Sequence, residues 1–201
     1  MVVGVCATAL GMVFGVMLGL IAGYFGGWTD LTISRAIEVI MPFPYILVAI
    51  MIAFALGSNQ WTIILAIGIV LVPFFARLVR GNVYAIKENQ FIEAARGCGS
   101  GHLRILFSHI LPHCTAPILI MASLCVAFSI LTEASLSFLG LGVPPPTPTW
   151  GGDLRAGIKY LELAPWVTMS PGVAIMVSVL GFNLLGDGLR DAFETEQSFL
   201  H

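Results

Sequence analysis

Histidine and cysteine are the side chains best able to do chemistry in this chain, and five of them fall in one stretch. They are Cys98, His102, His109, His113 and Cys114. Thiolates and imidazoles bind zinc and related metals, but closed sites place these ligands at characteristic spacings, and this stretch matches none of them. The sequence therefore predicts no metal site.

Neither a catalytic centre nor a nucleotide site is indicated. The histidines lie in that stretch and at the C-terminus, so no Ser-His-Asp or Cys-His arrangement can be argued. The glycine-rich run 97–101 follows no strand and lacks the dinucleotide-loop spacing, and the sequence contains no Gly-Lys-Ser or Gly-Lys-Thr. We expect a chain that is not an enzyme and has no cofactor of its own.

Glu133 is the one acid well inside an apolar run. A charge at the bilayer centre costs about 2.5 to 3.5 kcal/mol on insertion scales, so such residues usually face a cavity or a partner. Because Glu133 follows His113 by about one membrane thickness of helix, it could instead lie near the outer surface. A translocation-path role and a structural role at the outer end both remain open.

Prolines inside apolar runs predict bent helices, because each removes a backbone donor. They occur in Met41-Pro42-Phe43-Pro44 and at Pro73. Such bends border transport pathways in some membrane proteins and serve packing in others. The sequence leaves both interpretations of Pro42 and Pro73 open.

The elements that carry these residues are membrane helices. Hydrophobic residues make up 58% of the 201 and charged residues 10%, whereas soluble domains carry about 25% charged residues. The apolar runs are long and do not alternate, which favours helices over a barrel. We predict an all-α, polytopic transmembrane helix bundle forming a single domain over residues 1–201, with spans near 4–26, 38–57, 61–81, 113–140 and 165–187.

The first span carries Gly11, Gly15, Gly19 and Gly23 at every fourth position. This spacing places small residues on one helical face, which lets another helix approach closely. We interpret the face as a packing surface, with a pore lining as the alternative.

Residues 93–112 form a polar, glycine-broken island within the loop 82–112. The island predicts two short helices separated by glycines, and the second carries Leu103, Leu106, Phe107 and Ile110 at the spacing of one helical face. Irregular backbone exposed to lipid is not tolerated, so the island must lie outside the bilayer. Spacing alone does not decide whether its apolar face rests on lipid or docks into another protein.

Charge distribution predicts the orientation. If the island is cytoplasmic, seven basic residues lie inside (Arg35, Arg77, Arg80, Lys87, Arg96, Arg104 and Arg190) and two, Arg155 and Lys159, lie in the outer loop 141–164. This agrees with the positive-inside rule and places the C-terminus in the cytoplasm and Met1 outside. We therefore expect further residues upstream. The net charge of −2 gives no indication of nucleic acid binding.

The island resembles the EAA loop of permease subunits of ATP-binding-cassette importers. The resemblance rests on Glu93-Ala94-Ala95, on Gly99 after three intervening residues, and on Leu111-Pro112. The family usually has isoleucine where this chain has His109. Segments 131–142, 145–151 and 181–191 are similar to the second permease subunit of the dipeptide, oligopeptide and nickel branch, without that family's first helix.

The resemblance implies a type I ABC importer permease fold and a coupling helix that docks into a cytoplasmic ATPase. The residues it assigns to coupling are Glu93, Ala94, Ala95, Gly99, Leu103, Leu106, Phe107, Ile110 and Pro112. Glu133, Pro42, Pro73 and Asn183 are candidates for the translocation path.

The implied partners are a homologous permease subunit, two ATPase subunits that hold ATP and Mg, an extracytoplasmic substrate-binding protein, and membrane lipid. The implied location is a bacterial or archaeal cytoplasmic membrane. Peptide is the expected cargo, and nickel or another small solute is the alternative. A secondary transporter or channel, or a scaffold subunit without transport activity, is the rival function, although the chain shows neither paired intramembrane charges nor an inverted repeat.

Overall fold

The computed structural model describes residues 1–198, and the side chains as far as Phe193. Within that part the secondary structure is helical, with no strand. The long helices are α1 (Val2–Phe25), α4 (Gln60–Lys87), α7 (Leu111–Leu139) and α9 (Trp166–Ser198). Each is long and apolar enough to cross a membrane. The predicted all-α, polytopic class is confirmed.

A fifth crossing is made only if two helices are counted together. The helices α2 (Gly27–Ile40) and α3 (Tyr45–Leu56) meet at an angle of 86° across a four-residue break. The break contains Pro42 and Pro44, which lack the N–H groups that a continuous helix would need. The predicted span 38–57 is therefore α3 together with the end of α2, and not one straight helix.

Glycines bring α1 and α4 into close contact. A Cβ added to Gly15 would lie 2.6 Å from the Phe75 Cβ, and one added to Gly23 would lie 2.7 Å from the Val83 Cβ. Gly11 and Gly19 meet α4 at similar distances. The small-residue face of α1 is thus a packing surface, which fixes α1 and α4 as one unit.

The two ends of the bundle carry different short helices. At one end lie α5 (Gln90–Gly97) and α6 (His102–Arg104). At the other end, α8 (Trp150–Gly157) and a 3-10 turn (Ile158–Tyr160) precede α9. The helix α8 begins at Trp150 because the Thr149 side chain accepts a hydrogen bond from the Gly152 N–H (3.0 Å) and so caps it.

No break separates α6 from α7. A π-helical turn, Ile105–Ile110, joins them into one helical segment that runs from His102 to Leu139. In this turn the Leu111 N–H donates to the Leu106 carbonyl, five residues back, and the next residue, Pro112, has no N–H to continue the ladder. The second short helix predicted for the island is therefore the end of a spanning helix, which gives it a rigid connection to the bundle.

Candidate functional site

The candidate site is the segment from Gln90 to Ile110, called here the α5–α6 segment. Its first part, α5, buries Ile92 completely against the bundle while Glu93 and Ala94 are exposed. Ala95 is partly buried. One face of α5 thus fixes the helix to the bundle, and the other face exposes Glu93 and Ala94 of the predicted Glu93-Ala94-Ala95 motif.

Gly99 ends α5 in a left-handed turn. Its φ is +79°, its N–H donates to the Arg96 carbonyl (2.9 Å), and the Ser100 N–H donates to the Ala95 carbonyl (3.0 Å). These two bonds form the Schellman motif, in which the left-handed position favours glycine. No atom lies within 4 Å of the place where a Cβ would be added. The backbone conformation, and not lack of space, is what this position requires.

The predicted apolar face of the second helix is divided by the fold. Leu103 is 71% exposed and Phe107 46% exposed, whereas Leu106 is 4% exposed and Ile110 is fully buried. The two buried side chains belong to a core cluster with Leu20, Val83 and other residues of α1 and α4. Only Leu103 and Phe107 of this predicted set are available on the surface. Pro112 is exposed at the second position of α7.

A tyrosine of α1 supports the segment from the inside. Tyr24 is 7% exposed, and its hydroxyl lies 2.9 Å from Nδ1 of His102. The guanidinium of Arg96 lies over the Tyr24 ring, 5.5 Å from its centre. The rings of Phe25 and His102 are also in contact, with centres 5.9 Å apart. Both short helices therefore contact the same end of α1.

A second polar cluster holds α2 onto α4 at the same end of the bundle. Arg80 donates two hydrogen bonds to the Asp30 carboxylate (2.5 and 2.7 Å), and the Tyr84 hydroxyl donates a third (2.7 Å). The Lys87 ammonium lies 4.0 Å from the centre of the Tyr84 ring and donates to the Gly23 carbonyl. Sequence reasoning missed this cluster and the Tyr24–His102 contact, because Asp30 is 50 residues from Arg80 and Tyr24 is 78 residues from His102.

The proline candidates for a translocation path lie near one another. Met41 and Phe43, which flank Pro42, line a small cavity of about 40 Å³ together with Pro73 of α4. Pro73 itself is fully buried. The break between α2 and α3 therefore faces the proline-containing part of α4.

The remaining path candidates lie elsewhere. Glu133 is 8% exposed near the end of α7, where it accepts a hydrogen bond from Ser137 (2.7 Å) and lines a cavity of about 440 Å³ beside Thr149 and Asp153. Asn183 is partly buried on α9, next to Phe182, which packs on another core cluster. The fold does not gather the four candidates into one site.

The histidines and cysteines are dispersed in the structure. His102 contacts Tyr24, and the His113 ring faces Phe91 with centres 5.3 Å apart. Cys114 is buried while Cys98 is exposed. Among the described residues, no three histidine, cysteine, aspartate or glutamate side chains are grouped so that they could hold a metal ion.

Solved structures identify the fold. The fold matches two crystal forms of the MetNI methionine ABC transporter in inward-facing conformations, each with a TM-score of 0.71. The sequence identities are 21% and 19%, and the matches cover 94% of this chain and 91% of the other. The chain therefore has the fold of a type I ABC importer permease.

The sequence comparison gives the family. The chain belongs to the binding-protein-dependent transport system inner membrane components, whose family model matches residues 15–198. It is 47% identical over 192 residues to the dipeptide transport system permease protein DppC of Alkalihalophilus pseudofirmus, and 46% identical over 191 residues to the glutathione transport system permease protein GsiD of Pectobacterium atrosepticum. The matches cover 96% and 95% of this chain but 63% and 64% of the relatives. The predicted resemblance is confirmed.

Proposed function

We propose that this chain is the permease subunit of an ATP-driven importer of di- or oligopeptides, and that it contributes half of the translocation path. Membership of a family of transport components supports the transport role. The relatives named for dipeptide and glutathione transport support the cargo class, because glutathione is itself a peptide. The chain supplies no hydrolytic site in this proposal, so ATP and Mg bind to partner ATPase subunits.

The observation that carries the proposal is the construction of the α5–α6 segment. Buried Ile92, Leu106 and Ile110 fix its inner face to α1 and α4, while Glu93, Leu103 and Phe107 remain exposed. A rigidly supported helix pair with exposed apolar and acidic side chains is suited to docking in a groove of another protein. We propose that this groove lies on an ATPase subunit.

The division of the apolar face assigns different roles to the predicted coupling residues. Leu103 and Phe107 would enter the partner's groove, and Glu93 and Ala94 would contact its rim. Leu106 and Ile110 would pass the movement to the bundle because they pack against α1 and α4. The α5–α6 end of the bundle, and with it the C-terminus, is then cytoplasmic.

The complete transporter in this proposal contains a homologous permease, two ATPase subunits and an extracytoplasmic binding protein. The break between α2 and α3, with Pro42 and Pro73 beside it, is our proposed part of the path that changes shape. Glu133 and Asn183 are proposed to line that path in the assembled pair of permeases.

Reconstitution with the partner subunits tests the proposal. A di- or oligopeptide with its binding protein is expected to stimulate ATP hydrolysis and to accumulate inside the vesicles. Glu93→Ala is expected to reduce peptide uptake per ATP hydrolysed. Glu88, another exposed acid, lines the same surface cavity of about 300 Å³ as Glu93, so Glu88→Ala is the matched control and is expected to leave uptake per ATP unchanged. Normal uptake by Glu93→Ala and Gly99→Ala would exclude the coupling role, and stimulation by nickel instead of peptide would exclude the cargo class.

A further inference from the structure

The C-terminal end of α1 contacts the α5–α6 segment through polar as well as apolar groups. Tyr24 lies one residue from the end of α1 and is almost completely buried. Its hydroxyl forms a hydrogen bond with His102, the first residue of α6, and the Arg96 guanidinium of α5 lies over its ring. One side chain of α1 therefore contacts both short helices of the segment.

His102 is held on two sides. Besides the hydrogen bond, its ring meets the Tyr24 ring edge-on with centres 5.6 Å apart, and the Phe25 ring lies on another side. Aromatic pairs at such separations add to the energy of the hydrogen bond. The imidazole thus fixes the start of α6 to the end of α1, independently of the covalent connection from α6 to α7.

The contact matters because α1 packs closely along α4. Cβ atoms added to the four glycines of the α1 face would lie within 2.7 Å of α4 atoms, so the two helices form one closely packed unit. A displacement of α6 therefore has two routes into the bundle: directly along the helical segment to α7, and across the Tyr24–His102 contact to α1 and α4.

We infer that Tyr24 is a positioning residue for coupling, and that its hydrogen bond to His102 transmits movement of the α5–α6 segment to the α1–α4 unit. This inference rests on the proposed function, because it gives a purpose to a segment that is proposed to dock on an ATPase. Without the bond, movement of the segment still reaches α7 along the continuous helix but is no longer transmitted to α1 and α4.

The test compares variants in the reconstituted transporter, with peptide uptake per ATP hydrolysed as the readout. Tyr24→Phe removes only the hydroxyl, and losing one hydrogen bond shifts the balance between attached and detached segments by about fivefold. Uptake per ATP is expected to fall at least twofold. Tyr160→Phe makes the same chemical change at an exposed position at the other end of the bundle and is expected to have no effect.

Substitutions of His102 distinguish a loss of coupling from a failure of the protein to fold. His102→Asn keeps a polar group near the place of Nδ1 and is expected to retain most of the coupling. His102→Leu, which loses the ring contacts and the hydrogen bond together, is expected to lose at least as much coupling as Tyr24→Phe. Combining His102→Leu with Tyr24→Phe is expected to cause no loss beyond that of His102→Leu alone, because the bond is already absent. If Tyr24→Phe does not accumulate in the membrane, the comparison of His102→Asn with His102→Leu decides.

The outcomes distinguish this inference from the proposed function. Normal coupling in Tyr24→Phe and His102→Leu, while Glu93→Ala is uncoupled, overturns the role of Tyr24 and leaves the proposed function standing. Normal coupling in all three variants overturns both. An equal loss in His102→Asn and His102→Leu also overturns the inference, since the polar contact would not be what matters.

Discussion

Gly99→Ala is the substitution that most sharply tests the structure of the α5–α6 segment. Gly99 has a φ of +79°, in the left-handed region, and a Cβ there would meet no atom within 4 Å. The expected penalty is therefore conformational, about 1 to 2 kcal/mol for an L-residue in this region. A change of this size alters the ratio of formed to unformed turn by roughly five- to thirtyfold.

The chain offers a matched control two residues away. Gly97 is the last residue of α5, is not in the left-handed region, and likewise has open space around it. Gly97→Ala therefore adds the same methyl group at the same surface without the backbone penalty. We expect it to be neutral or to stabilise α5 slightly, since alanine is a better helix former than glycine.

Amide hydrogen exchange in the assembled transporter measures the turn directly. The Gly99→Ala variant is expected to exchange the amide of Ser100 faster by about five- to thirtyfold, because its hydrogen bond to Ala95 depends on the turn. Peptide uptake per ATP hydrolysed is expected to fall in the same variant. Gly97→Ala is expected to change neither quantity.

Gly99→Asn decides between backbone conformation and partner contact. Asparagine tolerates the left-handed region better than alanine, so it is expected to recover part of the coupling. If asparagine is as harmful as alanine, the partner excludes any side chain at this position and the conformational argument is refuted. Equal effects of Gly97→Ala and Gly99→Ala would refute it as well.

Three further substitutions test the helix packing, the polar cluster and the helix cap of the bundle. Gly15→Ala is expected to lower the free energy of unfolding by about 1 to 3 kcal/mol, because its Cβ would lie 2.6 Å from the Phe75 Cβ. Thermal unfolding in detergent measures this loss. Gly81→Ala is the control, because its added Cβ would meet nothing within 4 Å. Asp30→Asn is expected to destabilise by about 1.5 to 3 kcal/mol, because it weakens two hydrogen bonds from a charged guanidinium; an unchanged melting temperature would contradict the role of the cluster. Thr149→Val removes the cap of α8 and is expected to cost about 1 kcal/mol, seen as faster exchange of the Gly152 amide.

Local features of the structure were predictable because local sequence determines them. The apolar runs predicted the long helices, since each run is long enough to cross a membrane whatever surrounds it. The proline pair predicted a bend, and the structure has an 86° break there. The glycine spacing in α1 predicted close packing, although it did not identify α4 as the neighbour.

The predicted face of the second short helix shows where such reasoning ends. Periodicity placed Leu103, Leu106, Phe107 and Ile110 together, but it could not tell which part of an apolar stripe the protein's own core would cover. Contacts with Leu20 and Val83 bury two of the four. These neighbours lie in helices far away in the sequence, so no local pattern contains the answer.

The sequence by itself determined that this protein is a helical membrane bundle with a polar, glycine-turned segment between its apolar helices, because hydropathy and backbone chemistry are properties of short stretches. Only the tertiary structure decided how that segment is attached. The Tyr24–His102 contact and the Asp30–Arg80 ion pair join residues that are 78 and 50 positions apart. Such pairs form only where the close packing of α1 on α4 brings helix ends together, and that geometry follows from the whole fold.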